Sequence, residues 1–115
     1  LSYSKFEYSN LRVDRSIYGS NDTIKVSVDI SNNSSIEGKE VVQVFVTDLV
    51  ASITPSVKRL RGYQKLNVYP NAVTTVALSI PVQELGFVSV HGNHIVEPGG
   101  FKLTVAGLQS DFSVK

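Results

Sequence analysis

Glu84 and Glu97 are the two carboxylates, among the ten acidic residues of this 115-residue chain, that flank a segment irregular enough to form a cleft. Glycoside hydrolysis by the usual route needs two carboxyl groups about 5 to 9.5 Å apart across one bond. A simpler reading places Glu84 in the first turn of a short helix opened by Pro81, where its charge suits the helix dipole, and Glu97 in the turn before Pro98. The second reading is preferred, and no catalytic residue is assigned. His91 and His94, in "HGNH", are two imidazoles where a zinc site needs three or four ligands. Gly92 and Asn93 suit a two-residue hairpin turn with the histidines facing each other across it, so no metal is assigned. Serine is abundant, but there is no G-x-S-x-G elbow, and the glycines of "GSND" and "EPGG" precede no helix that would cradle phosphate. No cofactor is expected.

The remaining constellation is a run of cations interleaved with aromatics, Arg59, Arg61, Tyr63, Lys65 and Tyr69. It reads first as a solvated sheet face and second as a face that holds a sugar, a polyphenol or another domain.

These residues need elements to position them, and composition bounds what those are. Hydrophobic residues make up 42% and charged residues 18%, which is the composition of a folding chain of single-domain size. Eleven basic against ten acidic residues give a net charge of +1, far from what nucleic acid or an anionic membrane would select. No apolar run reaches the ~20 residues that cross a bilayer, and "LSYSKFEYSN" lacks a signal peptide's apolar stretch. Any export signal is expected upstream. With no cysteine, neither thiolate chemistry nor disulfides contribute. Three sequons, at Asn21, Asn32 and Asn33, fall in polar stretches that read as exposed loops, and all three are candidate glycosylation sites.

Period-two alternation dominates. In "TIKVSVDIS" Ile24, Val26, Val28 and Ile30 share one face; in "GKEVVQVFVTD" Val42, Val44 and Val46 do so, over a second face of Val41, Gln43, Phe45 and Thr47 that is itself poor in charge. "VKRLRGYQKLNVY" predicts Leu60, Leu66 and Val68 inward, with the basic and aromatic residues outward. Gly62 then falls at an inward position, where glycine marks a bulge or a close backbone approach. "VTTVALSIP", "FKLTVAG" and "DFSVK" complete the series. In "FEYSNLRV" the apolar phase slips by one residue at Ser9–Asn10, which predicts a β-bulge. Six or seven short strands separated by turn signals, with one helical turn at "PVQEL", predict an all-β, two-sheet antiparallel sandwich of immunoglobulin or fibronectin type III type.

Four pieces in order, "LSYSKFEYSNLRV", "GKEVVQVFVTD", "PSVKRLRGYQKLNVYPN" and "IVEPGGFKLTVAG", resemble the C-terminal fibronectin type III-like domain of family three glycoside hydrolases, the β-glucosidases and β-xylosidases. The resemblance implies a non-catalytic domain over residues 6–115, preceded by a linker remnant at 1–5. The nucleophilic aspartate and the acid/base glutamate would lie in a preceding barrel and α/β sandwich, its expected partners. Arg59 stands where relatives often carry an acidic residue, and Tyr63 where phenylalanine is common. The implied function is stability and domain packing in a secreted β-glucosidase-type enzyme. The alternative is a stand-alone polysaccharide- or lignin-binding module that uses Tyr63 and Tyr69. Given a preceding domain, the slip in the first strand predicts that Leu11 and Val13 enter the core, whereas Leu1, Tyr3, Phe6 and Tyr8 form an apolar patch turned towards that domain.

Overall fold

A computed structural model of the chain describes residues 6–49, 58–88, 92, 94–96 and 98–115. The seven expected strands are β1 (Phe6–Val13), β3 (Thr23–Asn32), β4 (Gly38–Asp48), β5 (Lys58–Val68), β6 (Val73–Pro81), β9 (Gly99–Val105) and β10 (Leu108–Val114). Three two-residue strands join them: β2 (Ile17–Tyr18), β7 (Phe87–Val88) and β8 (His94–Ile95). The single helical turn is a 3₁₀ segment, Val82–Leu85, with Glu84 in its first turn.

Two layers form, one ordered β1-β3-β6 and the other β2-β10-β9-β4-β5. Alternation explains why they stack: Ile24, Val26, Val28 and Ile30 of β3 and Val42, Val44 and Val46 of β4 are buried, as are Val76 and Ile80, Phe101, Leu103 and Val105, and Phe112 and Val114. Burying one apolar face from each sheet removes the area that drives folding. Pairing is antiparallel throughout the long strands, but β2 runs parallel to β10, Ser113 opposite Ile17. This short addition brings in Tyr18, the largest fully buried side chain, which the sequence reading did not place in the core. Its ring meets Phe112 edge-on at 5.7 Å, and Phe112 stacks on Phe101 at 5.4 Å. Its hydroxyl donates to Asp14 Oδ1 (2.6 Å) and accepts from the Arg15 amide (3.0 Å), so the polar tip is satisfied at the rim.

Four sequence expectations need correction. The β1 bulge occurs where expected, between Ser9 and Arg12, with Asn10 at φ 56°. It does not separate two faces, however. Phe6 pairs with Asn32, Tyr8 with Ile30 and Val13 with Val26, all inward positions of β3. The extra residue restores the phase that the sequence had lost. Phe6 and Tyr8 are therefore half-buried and packed on the same core as Leu11 and Val13, and are not an outward patch. Leu1 and Tyr3 lie outside the described residues.

In β5 the opposite happens. Val44 pairs with Gly62 but Phe45 pairs with Leu60, which leaves Arg61 as the extra residue of a bulge. Below it the strand is turned over, and Leu60 is 46% exposed instead of inward. The bulge thus sits beside Gly62, whose inward direction holds: a Cβ there would meet Ile80 at 3.8 Å, an ordinary contact.

Third, Asn32 is not an exposed loop residue. It is 1% exposed, and its Nδ2 donates to the carbonyls of Ile36 and Val68, both at 2.9 Å. Its Oδ1 accepts from the Ser34 amide and hydroxyl. A glycan needs that same nitrogen and open space, so Asn32 has neither. Asn21 and Asn33 are exposed. Fourth, His94 stands opposite Val88 in the β7–β8 pairing, where the sequence predicts His91 as its partner. His91, Asn93 and Glu97 lie outside the described residues.

Candidate functional site

Of the two carboxylates that the sequence singles out, Glu84 stands in the first turn of the 3₁₀ segment and Glu97 lies outside the described residues, whereas four other acids are engaged in hydrogen bonds. Asp14 accepts from Tyr18 and from the Lys25 amide (3.1 Å), which holds its carboxyl below the usual aspartate range. Asp22 closes the turn after β2 by accepting from the Gly19 amide (2.7 Å), and also takes Arg15 Nη1 (3.1 Å). Asp29 accepts from Thr75 Oγ1 (2.8 Å) and Asn10 Nδ2 (3.2 Å), and these two bonds lower its pKa. Glu40 accepts from the Tyr8 hydroxyl (2.9 Å) and the Val41 amide (3.0 Å). A general acid at neutral pH needs a raised carboxyl pKa. Asp14 and Asp29 are shifted the other way, by bonds that serve turns and strand pairing. Among the described residues no three His, Cys, Asp or Glu side chains gather as a metal site.

The structural candidate is the outer face of β4 and β5. Register assigns its members: Val41 opposite Lys65, Gln43 opposite Tyr63, Phe45 opposite Leu60 and Thr47 opposite Lys58. Of the five residues expected there, Tyr63 and Lys65 are on it. Arg59 pairs with Val46 and so belongs to the other side of the strand, Arg61 occupies the bulge, and Tyr69 follows the last residue of β5. Arg61 is half-buried, and burial lowers its pKa, with Arg59 adding to the effect and Glu84 opposing it. Leu60, which the alternating pattern placed inside, joins the face instead.

The surface is apolar for a solvent-facing sheet. Val41 is 40% exposed, Leu60 46% and Tyr63 62%. Lys58 lies with Nζ over the Phe45 ring, 5.1 Å from its centroid, a cation–π contact. Beside it, between β4 and the turn after β9, a shallow cleft of about 210 Å³ is lined by Tyr8, Val41, Gln43, Phe45, Lys58 and Thr104. It brings together no pair of acids, no nucleophile with a base and no metal ligands. The arrangement suits contact rather than catalysis.

Comparison with known proteins agrees with that geometry. The family model of the fibronectin type III-like domain matches residues 40–109. A β-xylosidase of Formosa agariphila is 33% identical over 105 residues, which cover 91% of this chain and 14% of that protein. Thermostable β-glucosidase B of Acetivibrio thermocellus is 32% identical over 116 residues, covering 100% of this chain and 15% of that protein. Among solved structures, a β-glucosidase involved in saponin metabolism from intestinal bacteria superposes with a TM-score of 0.91 at 27% identity, covering 100% of this chain and 17% of that one. The chain therefore spans about one seventh of the length of the curated relatives it matches.

Proposed function

Because the chain belongs to the fibronectin type III-like domain family, we propose that it serves as the non-catalytic packing module of a longer glycosidase of β-glucosidase or β-xylosidase type. The observation that carries this reading is the match itself: nearly the whole chain aligns with a small fraction of enzymes bearing those names. The hydrogen-bonded Asp14, Asp22, Asp29 and Glu40 support it from the other side, since a glycosidase site needs a separated pair free to titrate. In this reading the parent removes terminal β-linked sugars with carboxylates held elsewhere in its sequence, and this chain stabilises their domains by burying surface against them. The parent is exported, and in a eukaryotic host Asn21 and Asn33 carry the glycans.

Deleting residues 6–115 from the full-length glycosidase tests this reading. The expected result is a lower melting temperature and faster inactivation, with the acid and base limbs of the pH–rate profile unmoved in whatever activity survives. A shifted limb would show that this chain supplies an ionising group. A truncated enzyme as stable and active as the full one would remove the packing role.

A further inference from the structure

The outer face of β4 and β5 carries two features that a solvated sheet does not need. The first is Leu60. Without the bulge at Arg61 the alternation of β5 would turn Leu60 into the sandwich beside Leu66 and Val68, so the extra residue re-aims a large apolar side chain outward, next to Phe45. Bulges re-aim side chains, and one that exposes leucine costs stability unless something covers it. The second is charge. The residues facing outward are Lys39, Val41, Gln43, Phe45 and Thr47 on β4 and Lys58, Leu60, Tyr63, Lys65 and Asn67 on β5. Three lysines and no carboxylate stand there, on a chain whose net charge is only +1.

An apolar centre with a cationic rim is the layout of an interface whose partner is apolar and rimmed by carboxylates. We propose that this face, centred on Leu60 and Tyr63, docks against such a surface on another part of the same glycosidase polypeptide. This rests on the packing reading above and names the surface it uses. The relatives are about seven times longer than the matched segment, so a covalently linked partner is at hand at high effective concentration. A polymer ligand fits less well, because Lys58 already covers Phe45 and the lysines have no carboxylate to meet on a neutral glucan.

Tyr63 and Tyr69 provide an internal control, being 62% and 60% exposed in this chain. In the full-length glycosidase, hydroxyl-radical footprinting should label Tyr63 roughly fivefold more slowly than Tyr69, because an interface core excludes water. In Lys58→Glu/Lys65→Glu full-length protein the difference should shrink, while residues outside this face keep their labelling. Equal labelling of the two tyrosines in the unmodified protein would overturn the proposal while leaving the packing reading intact. Protection of Tyr63 that appears only on adding a soluble β-glucan would overturn it in favour of sugar binding. A gene encoding nothing beyond this chain would overturn both the proposal and the reading beneath it.

Discussion

β1 and β5 each contain one residue too many for their partner strand, and the consequences are opposite. In β1 the apolar pattern itself is out of phase, Phe6 and Tyr8 on one parity and Leu11 and Val13 on the other. The bulge brings all four to the inner side. In β5 the pattern runs Leu60, Gly62, Leu66, Val68 on a single parity, and the bulge at Arg61 sends Leu60 out of it. A phase break and a bulge cancel; a bulge within an unbroken pattern does not. The reason is geometric: side chains alternate by residue, so one inserted residue inverts whatever the pattern implied. The β1 bulge is also anchored by side chains. Asn10 takes the left-handed conformation that asparagine tolerates, and Asp29 holds it from the neighbouring strand at 3.2 Å while Arg12 Nη1 donates to the Asn10 carbonyl at 2.8 Å.

The contrast makes ranked predictions for the isolated chain. The largest effect is expected at Phe6, where Phe6→Ser should destabilise by about 2–4 kcal/mol, comparable with Leu11→Ser, as for side chains packed on a core. Chemical denaturation of the two variants measures this, and a loss below ~1 kcal/mol for Phe6 alone would return it to the surface. Next is Gly38→Ala. A Cβ at Gly38 would stand 2.6 Å from Phe6 Cζ, so the ring must move, at a cost of about 1–3 kcal/mol. A double-mutant cycle with Phe6→Leu should show the clash relieved; strict additivity would place the ring elsewhere. Third, Asn10→Val puts a β-branched residue at a positive φ and should cost about 1–2 kcal/mol, whereas Asn10→Gly should be near neutral. Equal melting of the two variants would mean that β1 has no left-handed residue.

Leu60→Ser is expected to cost less than ~0.5 kcal/mol in the isolated chain, as an exposed position does. That would be the smallest of the mutational effects, and its distance from Phe6→Ser is the comparison in numbers. Tyr18 adds an effect that is silent at neutral pH. Burial, and then its bond to Asp14, push its pKa from 10.0 up to about 12. A raised folded-state pKa contributes stability that is fully present below pH 10 and is lost as pH rises through about 12. Denaturation midpoints should therefore fall across that window, and Tyr18→Phe should remove this part of the decline. A parallel decline in Tyr18→Phe would assign the loss to other groups.

How much of this could be read in the sequence depends on how local the cause is. The seven long strands and the inner faces of β3, β4, β6, β9 and β10 follow from alternation alone. The bulge in β1 also announces itself, as a slip between Tyr8 and Leu11, although only the register with β3 shows that it turns all four apolar residues to the same side. The bulge in β5 leaves no mark in the pattern, because Gly62 is compatible with either face and only pairing with Val44 and Phe45 shows that Arg61 is extra. Tyr18 and Asn32 were missed for a related reason. Each is a polar residue in a turn-rich stretch, and what buries it is distant in sequence: Phe112 against the Tyr18 ring, and the Val68 carbonyl on the Asn32 amide. For Asn32 a hint exists in the serine two residues on, which suits a local side-chain turn, and the same serine also completes the sequon.

This chain is a frame without a reaction of its own, and an assay of the purified 115-residue chain on an aryl β-glucoside tests that most directly. No turnover above buffer is predicted, because Asp14, Asp22, Asp29 and Glu40 are engaged in hydrogen bonds that serve turns and strand pairing, and Glu84 stands in the first turn of the 3₁₀ segment with Glu97 outside the described residues. Turnover that survives repurification and disappears in Glu84→Gln would contradict it.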